Sequence, residues 1–193
     1  MGRFAQVLDG TVGEALAPNQ SIVTLDKAHA SRRFLSRTFK CDDAMANALD
    51  KYIMSKNSIV SVIHNSLVFS QWFDDFVKAL GPTECIGGAV SNLGMAKHRF
   101  NSLGKRLGRF VGKFWAVVQT AERIRITRTG SKGSEATTAI DFLDTFSPEE
   151  FILLSMMADA ADEGYVFTCF CDDEEMDIAL QSEEVAAFVQ HCE

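Results

Sequence analysis

The chain carries two long runs of apolar residues at helical spacing, roughly residues 58–80 and 89–126. In each run, apolar positions recur at i, i+3, i+4, i+7, i+8 and i+11. These positions are Phe69, Trp72, Phe73, Phe76, Val77 and Leu80 in the first run, and Leu107, Phe110, Val111, Phe114, Trp115 and Val118 in the second. This period is typical of helices with one broad apolar face. We therefore predict two long helices whose apolar faces bury each other or a flat group between them.

Glycine, proline and polar residues mark where the predicted helices begin and end. Gly81-Pro82 ends the first run, because proline cannot continue a helix. Residues 129–138 (TGSKGSEATT) read as a loop. Ser147, Pro148 and Glu150 occupy the N-cap, first and third positions of a predicted helix that continues to about Gly164.

The two ends of the chain complete a single all-α domain over residues 1–193. Residues 1–20 are predicted to form an N-terminal arm. Residues 165–171 (YVFTCFC) have strand propensity, but the segment is short and isolated, so we expect a buried extended connector. Residues 173–193 are predicted to form an acidic C-terminal helix.

Charge is distributed unevenly along the chain. Residues 1–96 hold nine basic and nine acidic groups, residues 97–132 hold ten basic groups and one acid, and residues 133–193 hold sixteen acids without Lys or Arg. A basic segment can bind phosphate or nucleic acid. We favour pairing with the acidic third, within one chain or across a homo-oligomer, because the formal net charge of −7 repels nucleic acid.

Several function classes lack their sequence signatures. The chain contains no P-loop, GxGxxG, GxSxG or HExxH motif, and no nucleophile with an evident base, so an enzyme is not favoured. No apolar run reaches the length of a membrane span, and the first residues lack a signal-peptide pattern. The five cysteines are odd in number and scattered, which favours free thiols and a cytoplasmic location.

Two of the four histidines lie beside the apolar runs. His64 lies in the first run, and His98 lies in LGMAKHRF, within the second run and ahead of its apolar stripe. A histidine in a helix is most often a surface residue or a hydrogen-bonded core residue. Two histidines on facing apolar helices can also flank a planar cofactor, one of them as the iron ligand.

Residues 72–118 resemble the proximal half of a globin. WFDDFVKALGPTECIGGAVSNLGMAKHRF is similar to the globin segment from the distal helix through its turn to the LG-x-x-H proximal helix. His64 with Val68 fits the distal HxxxV pair, and residues 146–148 resemble the F-[ST]-P start of the last globin helix. Leu93 departs from the pattern, since it lies five residues before His98 instead of four.

The resemblance implies a three-over-three globin-like bundle, with an extra acidic C-terminal helix, that binds haem and a diatomic gas for transport, storage or sensing. His98 would be the proximal iron ligand and His64 the distal residue. The implied pocket walls are Val68, Phe69, Phe73, Leu103 and Phe110. The alternative is a haem-free helical interaction or regulatory protein. Its basic segment 97–132 and acidic segment 133–193 would then mediate self-association or partner binding.

Overall fold

The computed structural model describes residues 37–85, 93–94, 100–128, 133–171 and 181–192. Helices dominate these residues, and none of them lies in a β-strand, which confirms the all-α prediction. The helices are α1 Asp43–Ala48, α2 Ile59–Asn65, α3 Leu67–Glu84, α4 Phe100–Gly112, α5 Phe114–Arg128, α6 Ser134–Thr145, α7 Pro148–Cys171 and α8 Gln181–Cys192. A π-helical segment, Leu49–Met54, follows α1 directly. Within the described ranges, no helix is both long enough and apolar enough to cross a bilayer.

The first apolar run forms two helices instead of one. Ser66 separates α2 from α3, and its hydroxyl accepts a hydrogen bond from the backbone N–H of Phe69. The predicted stop at Gly81 is present as a kink, where φ is 71° and ψ is −176°. Only glycine adopts this conformation without strain, and a single further turn extends the helix to Glu84.

The second run is interrupted once within residues 100–126, and residues 89–92 and 95–99 of the run lie outside the described part. α4 ends at Gly112, Lys113 forms a turn, and α5 begins at Phe114. The interruption is local, because Lys113 N–H still donates to Arg109 O and Val117 N–H to Lys113 O. The packing partners change there: α4 lies mainly along α7, whereas α5 lies along α3 and α6.

Helix α7 begins as predicted but ends later. The Ser147 hydroxyl accepts from the Glu150 N–H at 3.2 Å, and Glu150 Oε2 accepts from the Ser147 N–H at 2.9 Å, which is a capping box. The predicted end near Gly164 and the extended connector at 165–171 were wrong, since the helix continues to Cys171. Burial outweighs strand propensity here, because Phe167 stacks on Phe188 of α8 with ring centroids 4.8 Å apart.

The other predicted boundaries are met in part. Helix α6 begins at Ser134, so residues 134–138 of the predicted loop are helical, and residues 129–132 lie outside the described part. Helix α8 lies inside the predicted acidic segment 173–193. The predicted arm, residues 1–20, lies outside the described residues.

Phe167 and Phe188 form a small apolar cluster of their own, and the main core is one cluster drawn from residues 39–161. Its densest part is a group of aromatic rings in edge-to-face and tilted contacts, contributed by Tyr52, Phe110, Phe114, Phe142, Phe146 and Phe151. These rings join the π-helical segment to α4, α5, α6 and the start of α7. Aromatic pairs of this kind bury a large apolar area and also prefer particular orientations of the two rings.

Candidate functional site: the groove between α4 and α7

Helices α4 and α7 run antiparallel and approach most closely at Gly104. A Cβ atom at Gly104 would lie 3.1 Å from the Cβ of Ala161, so only glycine permits this spacing without a shift of the neighbour. At the opposite end, the ring of Phe114, just beyond α4, lies 4.7 Å from that of Phe151 near the start of α7. The two helices therefore contact each other closely at Gly104, and aromatic side chains pack together at the other end.

An open groove of about 1000 Å³ runs beside this contact. The glycines of α4 that line it recur every four residues, at 104, 108 and 112, so they share one helical face. A Cβ atom at Gly108 would meet nothing within 4 Å. The absence of side chains along this face keeps the groove open, and Trp115 and Phe151 provide apolar walls.

One large apolar side chain is exposed in the groove, and two more are exposed elsewhere, on α7. Trp115, which lines the groove, is 56% exposed. Ile152 and Met156 lie one turn apart on α7 and are 58% and 62% exposed. Contiguous exposed apolar side chains of this kind mark interaction surfaces, and tryptophan is enriched among the residues that dominate binding energy.

The two long sides of the groove carry opposite charges. Lys105 and Arg109 lie on α4, and Asp159 and Asp162 lie on α7. Burial raises the pKa of Asp162, and the neighbouring carboxylates of Asp159 and Glu163 raise it further. The α7 side therefore concentrates negative charge, and binding of a cationic group there would relieve the repulsion.

A hydrogen-bonded corner fixes the aromatic end of the groove. The buried Tyr52 hydroxyl donates to Glu150 Oε2 at 2.7 Å, and Lys51 Nζ lies 3.6 Å from Glu150 Oε1. The same carboxylate completes the capping box with Ser147, which itself lines the groove. Glu150 thus ties the π-helical segment to the first turn of α7. Burial raises the pKa of Tyr52 above its ordinary value, so its hydroxyl is a donor at neutral pH.

Two cations of the basic segment are buried. Lys113, at the break between α4 and α5, is fully buried, and burial lowers its pKa while nearby Cys85 and Asp74 oppose this effect. Arg106 is 5% exposed, and its Nη2 donates to Ser61 Oγ at 2.9 Å. Buried charges are costly unless they are paired, so both residues are unusual in a core.

The residues assigned to a haem pocket occupy different environments. Phe69, Phe73 and Phe110 are buried in the main apolar cluster, and Leu103 packs against that cluster. His64 is exposed, and Val68 is 46% exposed. His98 lies outside the described residues. The ring of Phe110 contacts those of Phe114, Phe142 and Phe146, whereas the ring of Phe69 contacts that of Trp72.

Sequence reasoning overlooked the groove, although one signal was present. The four-residue spacing of the α4 glycines is visible in GKRLGRFVG, where it indicates close approach of another element. The buried positions of Arg106 and Lys113 left no comparable signal, because both lie in a segment that is basic throughout. Within the described ranges, no group of three or more His, Cys, Asp or Glu side chains is arranged to hold a metal ion.

Comparison with known proteins yields no relative: no family model matches the chain, and no curated protein or solved structure matches it significantly.

Proposed function

We propose that this protein is a helical interaction protein that self-associates through the groove between α4 and α7. The observation that carries the proposal is an open groove with the exposed side chain of Trp115 in its wall and opposite charges along its two sides. The occupant is a second copy of the same chain. Its α7, with exposed Ile152 and Met156, would lie over the groove of the first copy.

Two-fold symmetry suits this charge pattern. In a symmetric dimer the same surface of each copy faces the other, so every contact occurs twice. Lys105 and Arg109 of one copy would face Asp159 and Asp162 of the other, and the reverse pairs would form at the same time. The exposed indole of Trp115 would also be buried in the interface, as an aromatic anchor.

The test is sedimentation velocity of the full chain over a range of protein concentrations at low and high salt. We expect a dimer at micromolar protein concentrations in about 50 mM salt. At about 500 mM salt the dimer should weaken, because the shorter Debye length screens exposed ion pairs. A chain that stays monomeric throughout, or a dimer indifferent to salt, would contradict the charge-pairing model.

Charge reversal makes the test specific to the groove. The double variants Lys105→Glu/Arg109→Glu and Asp159→Lys/Asp162→Lys should each lose self-association, because both sides then carry one sign. An equimolar mixture of the two variants should form a heterodimer, since every facing pair becomes attractive. Lys78→Glu, which changes an exposed residue of α3 outside the groove, is the matched control. Failure of the mixture to associate would refute the arrangement.

A globin-like haem protein is the second proposal, favoured by a specific observation. Phe69, Phe73, Leu93 and Phe110, all drawn from the globin-like segment and its flanks, belong to one apolar cluster. Haem would supply the site for a diatomic gas, with His98 as the proximal ligand and His64 as the distal residue. An apolar wall of this kind would exclude water and so protect ferrous iron from oxidation.

Reconstitution with haem distinguishes the two proposals. Under the second proposal, purified protein shows a Soret band that His98→Ala abolishes and that His191→Ala, a change at an exposed histidine of α8, leaves intact. Absence of a band, or a band unaffected by His98→Ala, eliminates the haem proposal and leaves the dimer experiment untouched.

A further inference from the structure

Arg106 is a buried cation without a counter-ion among the described residues. It projects from α4, is 5% exposed, and makes its recorded hydrogen bond to a neutral group, Ser61 Oγ. Its Nε is fully buried without a hydrogen-bond partner. A guanidinium stays protonated in proteins and has five N–H donors, so burying it this way is costly.

The hydroxyl groups beside Arg106 add a second unused donor. Ser61 Oγ and Ser58 Oγ lie 2.9 Å apart and form one hydrogen bond, which uses one of their two hydroxyl protons. Ser58 Oγ also accepts from the Ser61 N–H, and Ser61 Oγ accepts from Arg106 Nη2. Whichever hydroxyl donates within the pair, the other proton has no acceptor among the described residues. These contacts leave the fully buried Nε–H and one hydroxyl proton of the serine pair without an acceptor among the described residues, in a site that carries one positive charge.

We propose that Arg106 and the Ser58–Ser61 pair form a binding site for a carboxylate group. A carboxylate has two acceptor oxygens, one for Arg106 Nε and one for the unused hydroxyl proton. Its single negative charge neutralises the single buried guanidinium. A dianion such as phosphate or sulfate would leave net charge in the core, which is unfavourable at low dielectric. Arg106 and Ser61 are each 5% exposed, so the site lies just below the surface, although Nε itself is fully buried.

The proposal does not depend on self-association, since neither Arg106 nor Ser61 lines the groove. Its ligand is either a small free carboxylate or the acid group of a longer apolar molecule. Acetate and octanoate serve as probes for the two cases. Similar affinity for both supports a small ligand, whereas tighter binding of octanoate supports an apolar chain lying against the core cluster.

The experiment is thermal unfolding of the full chain while acetate replaces chloride at constant ionic strength. We expect the Tm to rise with saturation in acetate, because a ligand that binds only the folded state stabilises it by mass action. Sulfate at the same ionic strength should produce no saturable rise. Arg106→Gln should abolish the acetate response, Ser61→Ala should weaken binding about tenfold, and Lys78→Gln, with the same charge change at an exposed site, should retain it.

A second measurement keeps the proposal testable if Arg106→Gln fails to fold. The ¹⁵N–¹H resonance of Arg106 Nε, assigned through its Cδ protons in the unaltered protein, should shift on addition of acetate. The Nε resonances of exposed arginines such as Arg123 act as internal references. An unmoved Arg106 resonance, or an acetate response that survives Arg106→Gln, overturns the site.

Discussion

Removal of the Glu150 carboxylate should destabilise the fold far more than removal of its exposed neighbour. Glu150→Ala deletes the acceptor of the 2.7 Å hydrogen bond from the buried Tyr52 hydroxyl and half of the capping box with Ser147. A hydrogen bond to a charged group contributes about 1.5–3 kcal/mol, and the lost capping interaction costs about 0.5–1 kcal/mol more. The Lys51 pair is partly exposed and contributes less than about 1 kcal/mol.

The expected loss is therefore about 2–4 kcal/mol of unfolding free energy, which lowers the Tm by roughly 6–12 °C in a domain of this size. Urea unfolding followed by circular dichroism measures the first quantity and differential scanning calorimetry the second. Glu149→Ala is the matched control, because Glu149 lies in the same first turn but is exposed.

A double-mutant cycle with Tyr52→Phe isolates the central hydrogen bond. The two single changes share one interaction, so their combined effect should fall short of the sum by about 1.5–3 kcal/mol. A coupling below about 0.5 kcal/mol, or a Glu150→Ala loss no larger than that of Glu149→Ala, would refute the inference that this carboxylate joins the π-helical segment to α7.

Two further predictions concern α4 and the break that follows it. Gly108→Ala should stabilise the fold by about 0.5–1 kcal/mol through helix propensity. The unfolding free energy of Gly104→Ala should be lower than that of Gly108→Ala by about 1 kcal/mol or more, because the new methyl group meets Ala161. Equal urea midpoints for the two variants would contradict the close contact. Lys113→Met removes the buried ammonium group and tests its pH-dependent contribution to stability. Burial lowers the pKa of Lys113 in the folded protein. Between that lowered pKa and the ordinary value of 10.5, the unfolded chain binds more protons than the folded one. The contribution of Lys113 to stability therefore rises with pH across this range. The Met variant should lack that rise in unfolding measurements from pH 7 to 10, and an unchanged pH dependence would show that Lys113 is not the titrating group.

Single residues in the sequence predict where a helix begins or kinks better than they predict whether a long apolar run forms one helix or two. The Ser147–Glu150 capping box and the Gly81 kink follow from single residues whose effects are local, and both are present. The break at Lys113 depends on which helices α4 and α5 pack against, and no residue near 113 encodes those partners by itself. The helical state of residues 165–171 likewise depends on contact between Phe167 and Phe188, which are distant in sequence.

The candidate sites also depend partly on local sequence and partly on contacts between residues that are distant in the chain. The glycine spacing of α4 reveals a smooth helical face, but the groove also needs walls such as Trp115 and Phe151, and the sequence does not show which residues will stand beside that face. Arg106 is one of ten basic residues between positions 97 and 132, and only its neighbours in space distinguish it from the others. The His64 and His98 assignment rests on spacing along the chain and stays a prediction that the haem experiment decides.

The tight contact at Gly104 gives the α4/α7 pair a pivot at one end, and the Phe114–Phe151 contact holds the other end. Gly104 and Gly112 are eight residues apart, which is about 12 Å along a helix axis. A change of about ten degrees in the angle between the helices would move the far end by about 2 Å, on the same helical rise, with almost no displacement at Ala161. A small rotation at Gly104 would therefore be felt mainly by the aromatic rings and the Glu150 corner, which keep the groove at one width.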